Sequence, residues 1–229
     1  MCASQAVTQP ETPALVIDAS GSDIFVGVLG PENQWLSQVH RQAAALEAIF
    51  PCVDNALSEA GVSLASLEGF FHCEGPGSVL GLRLCAMAIQ TWTRLHPNSA
   101  KHHCYNSLQL TAALITLDHP ELSDALLVSD WKKDTWNAVV IENGQAKPTS
   151  VVNSLELHDW QGVLFHLPQR KGWQKPPTGA TTLSYQPERL TDALQLPGLL
   201  RATDAIELYS SGINTFHKWV PDRHRAPAN

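Results

Sequence analysis

Two continuous apolar runs, ALVID at 14–18 and IFVGVL at 24–29, flank the turn signal Ser20-Gly21-Ser22 and predict a strand, a tight turn and an antiparallel partner. Pro31-Glu32-Asn33 supplies a second turn before a third strand, Gln34 to His40, so the chain opens as a β-meander. From Arg41 to Ala60 the apolar period lengthens: Leu46, Ile49, Phe50, Val53, Leu57 and Ala60 fall on one helical face, which predicts that this face is buried. Pro51 predicts a kink or a restart there. Ala44, Ala48, Cys52 and Ala56 make a second stripe of small side chains, four residues apart, that lets another element approach closely, whether from within the fold or from a partner. Gly61 ends the helix, and Leu67 to His72 reads as a buried strand running into the glycine-rich stretch GPGSVLG at 75–81.

Val79 to Leu95 is a helix apolar around most of its circumference, broken mainly by Arg83, Gln90, Thr91 and Arg94. Such a helix must be covered on more than one side. Asn106 or Ser107 can cap a further helix to about Leu117. Ala125 to Ser129 and Thr135 to Ile141 predict two strands joined at Asp130 to Asp134, and Asn143-Gly144 turns the chain into Lys147 to Val152. A second meander therefore follows the helices of the first half, and the two halves share a layout without any visible residue-by-residue repeat. Beyond it lie a strand at Gly162 to Leu167, a proline-rich basic loop at Pro168 to Thr178, a short helix at Pro187 to Leu196, a further helix at Ala202 to Leu208, and an irregular tail from Pro221.

The 229 residues suffice for one domain or two small lobes. No apolar run approaches a membrane span, and residues 1–12 read as a loose tail without a targeting pattern, so the expected location is the cytoplasm with no membrane contact. A formal net charge of -7 argues against gripping nucleic acid directly, because phosphate neutralisation needs clustered Lys and Arg. Five cysteines with no C-x-x-C suit a reducing compartment. The ten histidines include no H-x-x-x-H or H-E-x-x-H, and adjacent His102 and His103 point to opposite faces of a strand, which reads as one surface and one core histidine rather than metal ligands.

The stretch from Gly75 to Gly81 follows a strand and opens a helix, the place where backbone N–H groups and the helix dipole favour an anion. It has no lysine after Gly81 and is therefore not a P-loop, nor does it have the G-x-G-x-x-G order of a dinucleotide fold. A turn that sets helix against strand and a loop that faces phosphate are equal readings of it. Ser78 is an N-cap rather than a nucleophile, since the flanks are not G-x-S-x-G. Asp18 and Ser20, at the end of the first strand, either bond their own turn or approach a nucleotide phosphate and its metal.

Four stretches in order, ALVIDASGSDIFVGVL, AIFPCVDNALSEAGVSLASLEGF, GPGSVLGLRLCAMAIQTW and LLVSDWKKDTWNAVV, together resemble the TsaB (YeaZ) family between Ala14 and Ile141. These proteins are non-catalytic relatives of TsaD. The most specific element is GPGS-x-x-GLR, similar to the family's GPGSFTGLR, with Val79-Leu80 in place of Phe-Thr. Asp130-Trp131-Lys132 stands where the family has Asp-Ala-Arg, which marks a divergent member. TsaD carries N-H-x-x-x-H to bind its metal, and the nearest counterpart here, Asn106 to Thr111, has Ser107 and Thr111 where the histidines would sit. Hydroxyls do not replace two imidazoles as ligands.

The resemblance implies a two-lobed α/β fold of the actin-like ATPase (ASKHA, ribonuclease H-like) type, with mixed sheets, antiparallel meanders and flanking helices. The expected division is a tail at 1–12, an N-terminal lobe at 13–105 and a C-terminal lobe at 106–229 whose last helix returns to the first. The implied role is a catalytically inactive, activating subunit of a TsaD-like enzyme forming threonylcarbamoyladenosine at position 37 of tRNA, with a TsaE-like ATPase joining and tRNA contacted only through the complex. No catalytic residue, metal site or intrinsic cofactor is expected, and ATP or ADP is the candidate ligand at the joint with the partner. The partner-binding residues expected are Ala44, Ala48, Cys52, Ala56, Val79, Leu82, Ala86 and Ile89, contacting the enzyme or a second copy in a homodimer. Asp18, Ser20, Gly75, Gly77, Ser78 and Arg83 are the nucleotide-facing candidates. The competing readings are an active kinase or acyltransferase of the same fold, using Asp18 and the glycine loop, and a self-associating relative outside the tRNA pathway. Arg170 to Lys175 and Arg223 to Arg225 read as solvated basic segments before they read as tRNA contacts.

Overall fold

The structure, a computed structural model, describes residues 10–96, 100–168, 175–204 and 206–210. Residues 1–9 of the expected tail, positions 170–174 of the basic loop and the tail arginines at 223–225 lie outside the described residues. The first meander forms as β1 (Ala14–Asp18), β2 (Ile24–Leu29) and β3 (Trp35–Arg41). It is followed by α1 (Ala45–Ala60), β4 (Gly69–Gly75), α2 (Val79–Leu95) and β5 (Lys101–Asn106). α3 (Ser107–Asp118) leads into β6 (Ala125–Lys132), β7 (Thr135–Glu142), β8 (Gln145–Ala146) and β9 (Ser150–Asn153). The chain closes with α4 (Ser154–His158), β10 (Val163–Leu167), β11 (Thr181–Thr182), α5 (Leu190–Ala193) and β12 (Arg201–Ala202).

The two sheets share one plan. In the first the order is β12-β5-β4-β1-β2-β3, and in the second β11-β10-β6-β7-β8, with β9 also on β7. In each, the first strand pairs antiparallel with the next on one side (β1 with β2, β6 with β7) and parallel with a later strand on the other (β4, β10). A second parallel strand, β5 or β11, extends that side. This repeated plan is the two-lobed actin-like architecture, and it accounts for the related layout of the two halves.

Both faces of the first sheet are covered, so β1 reads as an unbroken apolar run rather than an alternating one. Leu15 and Ile17 join the core beneath α1 and α2, whereas Ala14 and Val16 join a core on the opposite side with Leu110, Leu114, Leu190 and Leu194. α1 lies across β2 and β3 and runs through Pro51 without a restart. Its small stripe faces the sheet: Ala48, Cys52 and Ala56 are buried, and Ser37 Oγ donates to the Ala56 carbonyl at 2.7 Å. Small side chains let the helix backbone come that near the strands.

α3 lies between the two sheets. Its Leu110, Ala113 and Leu114 pack with the first lobe and its Leu108, Ala112 and Ile115 with the second, which explains a helix apolar on every side. Asn106 caps it, its side chain accepting from the N–H groups of Leu108 and Gln109 at 3.1 and 3.2 Å. The returning chain differs from the helix expected at Ala202 to Leu208. Arg201–Ala202 instead adds a short antiparallel strand to β5, and Tyr209 N–H donates to the Glu74 carbonyl at 2.8 Å, so this backbone bonds the first sheet rather than itself. α5, just before it, packs into the first lobe's core.

Candidate functional site

The glycine loop is fitted against the β1–β2 turn. Ser78 N–H donates to the Ser20 carbonyl at 2.9 Å, and Ser78 Oγ caps α2 by accepting from Gly81 N–H at 3.4 Å. A Cβ at Gly77 would sit 2.5 Å from the Ser20 carbonyl oxygen, and one at Gly81 would sit 2.2 Å from that of Ala19. These two glycines exist because two backbones meet there. Ser107 Oγ donates to the Pro76 carbonyl at 2.7 Å and ties the loop to α3 from the other side. Of the two equal readings of the loop, helix-against-strand packing is the one the contacts support.

Asp18 is caged. Oδ1 accepts the Ser20 N–H at 2.7 Å, and Oδ2 accepts the hydroxyls of Tyr105 at 2.7 Å and Tyr185 at 2.6 Å. The residue is 1% exposed. Burial first, and then the Asp18 charge beside them, push both tyrosines well above the ordinary phenol range, so both hydroxyls stay protonated and can donate. A nucleotide phosphate with its metal does not fit a carboxylate so occupied. Of the other nucleotide-facing candidates, Ser20 and Gly75 are buried, Gly77 and Ser78 half-buried, and Arg83 exposed on α2. Nothing in the sequence near Asp18 points to Tyr105 or Tyr185, which lie 87 and 167 residues away.

The second lobe repeats the arrangement with different chemistry. Asp130 on β6 is met by His166 Nε2 on β10 at 3.0 Å, and both side chains are 1% exposed. Next to it Lys132 Nζ lies 4.1 Å from the Trp131 ring centroid, so the residues that depart from Asp-Ala-Arg stack on each other. Ser107 and Thr111 are both buried; Thr111 Oγ1 donates to the Ser107 carbonyl at 2.9 Å. Among the described residues no group of three or more His, Cys, Asp or Glu side chains could hold a metal ion. His103 is buried with Nε2 3.0 Å from Glu11, while His102 is half-buried.

The expected partner-binding residues divide by face. Ala48, Cys52, Ala56, Leu82 and Ile89 are in the core, so they support the helices from beneath and present no surface of their own. Ala44 and Val79 are exposed and Ala86 is half-buried. The outward apolar side chains are others: Leu46 and Phe50 on α1, and Leu80 and Met87 beside Val79 on α2. Leu46, Val79, Leu80 and Met87 are all more than 60% exposed. The two helices lie on the same side of the first sheet and touch where Phe50 meets Trp92 edge-on at 6.1 Å. Leu46 and Phe50 therefore correct the reading of α1, whose large apolar residues are not all on the buried face. Ile49 and Val53 of the expected face are buried, together with Ala48, Cys52 and Ala56 of the small stripe.

Over residues 39–127, which include both helices and the glycine loop, the chain matches the TsaD family, described as tRNA N6-adenosine threonylcarbamoyltransferase. No curated protein sequence matches it. Among solved structures, YeaZ from Pseudomonas aeruginosa is similar with a TM-score of 0.58 and 18% identity, covering 81% of this chain and 90% of that one. The chain has the fold of YeaZ. A second structure, an uncharacterized protein described as similar to peptidase YeaZ from Pseudomonas aeruginosa, gives a TM-score of 0.56 at 17% identity and covers 75% of this chain and 86% of that one. The likeness to YeaZ thus extends through the second lobe, well beyond the stretch between Ala14 and Ile141 that resembles the family in sequence. No helix among the described residues is long and apolar enough to cross a membrane.

Proposed function

We propose that this chain is a non-catalytic partner of a TsaD-like threonylcarbamoyltransferase, acting in the formation of threonylcarbamoyladenosine at position 37 of tRNA. The observation that carries the proposal is the outward apolar side of α1 and α2, with Leu46, Phe50, Val79, Leu80 and Met87 open to solvent within the segment that matches the TsaD family. Covering what remains exposed of each such side chain is worth about 1–2 kcal/mol, so the five together offset much of the cost of association. The YeaZ fold and the occupied Asp18 carboxylate agree with a role that binds a partner rather than one that transfers a phosphoryl group. A TsaE-like ATPase and tRNA join through the enzyme, and a nucleotide, where present, sits at the joint.

Phe50→Glu and Met87→Glu test the proposal in co-purification with the TsaD-like enzyme of the same cell. The expected result is a folded chain that no longer retains the enzyme, while Leu155→Glu, at an exposed position in the second lobe, retains it. Unchanged retention by the folded Phe50→Glu, Met87→Glu double variant removes the proposal.

One arrangement favours a second copy on the same face. α1 exposes Glu47, Asp54 and Glu59, and α2 exposes Arg83 and Arg94, so a copy related by a two-fold axis can set acid against base. Native mass measurement of the chain alone and with the enzyme separates the two occupants: a homodimer that persists with the enzyme present favours self-association.

A further inference from the structure

We infer that Tyr185 is an interlobe latch: its hydroxyl, donated to Asp18, closes that carboxylate to any nucleotide phosphate or metal and fixes the second crossing of the chain between the two sheets. The first crossing is α3. The second runs through seven residues. At its start Leu183 N–H donates to the His166 carbonyl at 2.9 Å and belongs to the second sheet. Two residues on, Tyr185 reaches Asp18 at the end of the first strand of the other sheet at 2.6 Å. Three further on, the Glu188 carbonyl accepts from Trp35 Nε1 at 2.8 Å, and Arg189 then grips Asp118 at the end of α3 through both terminal nitrogens, at 2.7 and 2.8 Å.

The Tyr185 ring also lies on the β1–β2 turn, where a Cβ at Gly21 would come within 3.2 Å of it. Two-lobed proteins take ligands in the cleft between lobes and close on them by hinge motion. Here the cleft end of β1 is filled by part of the same chain. A carboxylate offers about four acceptor positions, and three on Asp18 are used by Ser20, Tyr105 and Tyr185. Asp130, at the matching place in the second lobe, is taken by His166. Asp18 at the end of β1 and Asp130 two residues before the end of β6 are therefore both engaged from within the protein, one through the latch and one within its own sheet. This holds whichever partner covers α1 and α2.

Hydrogen exchange on the full chain, read by mass spectrometry, tests the latch. Tyr185→Phe keeps the ring and removes the bond. The expected result is exchange about tenfold faster at residues 20–23 and 183–189, with α1 unchanged, as for a local opening made easier. Unchanged exchange in both segments overturns the latch. A second measurement needs no variant: millimolar Mg·ATP leaves exchange at residues 18–23 of the wild-type chain unaltered, and slowed exchange there overturns the closed site.

Discussion

Ser78 N–H and the Ser20 carbonyl, 2.9 Å apart, bond the head of α2 to the β1–β2 turn. One backbone donor of a loop that has the glycines of an anion site is thereby committed to the protein itself. Gly77 makes the approach feasible, because a Cβ there would lie 2.5 Å from the Ser20 oxygen, which is backbone and cannot rotate away. Gly77→Ala is expected to destabilise the fold by about 1–3 kcal/mol, the usual cost of forcing atoms into a packed contact. Urea unfolding monitored by tryptophan fluorescence measures it, and an unchanged midpoint contradicts the packing role of the loop.

The two faces of α1 should respond in opposite ways. Ala56→Leu pushes a larger side chain toward β3, at the point where Ser37 bonds the Ala56 carbonyl, and is expected to cost about 1–3 kcal/mol. Leu46→Glu changes an exposed position, and its effect on stability is expected to stay within about 0.5 kcal/mol. Denaturant midpoints of the two variants decide the matter, and the reverse order would mean that the helix is turned over.

His72 in β4 makes stability depend on pH. Burial lowers its pKa from 6.5 to about 4, so the folded chain holds the ring neutral while the unfolded chain protonates it at a higher pH. A depressed imidazole pKa means that the unfolded state binds more protons between these values. Stability is accordingly highest above pH 6.5 and falls as the pH drops toward 4, by up to about 3 kcal/mol from this group. His72→Gln should flatten that part of the profile. Urea midpoints at pH 7 and pH 5 for both proteins provide the check, and parallel pH dependence would remove His72 as the cause.

The order of strands and helices was legible because each element carries its own period and its own stop signal. The turn at Ser20 to Ser22, the N-caps Ser78 and Asn106, and Gly61 after α1 all stand where the sequence places them. What local pattern did not reveal was where on α1 the buried face ends. Ile49 and Val53 from the large stripe and Ala48, Cys52 and Ala56 from the small one share the buried face, and only Leu46 and Phe50 at the large stripe's outer edge turn to solvent. Tyr185 was invisible for another reason. Its partner is 167 residues away, and a tyrosine in a loop gives no local sign that its hydroxyl will meet a buried acid. The strand at Arg201–Ala202 escaped likewise, since two residues carry no periodicity and only β5 makes them a strand.

α3 belongs to two cores at once, with Leu110 and Leu114 in one and Leu108 and Ile115 in the other. Each lobe is thus missing a wall until the same helix is in place. A chain cut between β5 and α3 would leave one half without its cover and the other with a greasy flank open to water, so neither fragment is a sound domain. The boundary between residues 105 and 106 runs beside a helix that both cores share, so the two sheets are expected to melt together.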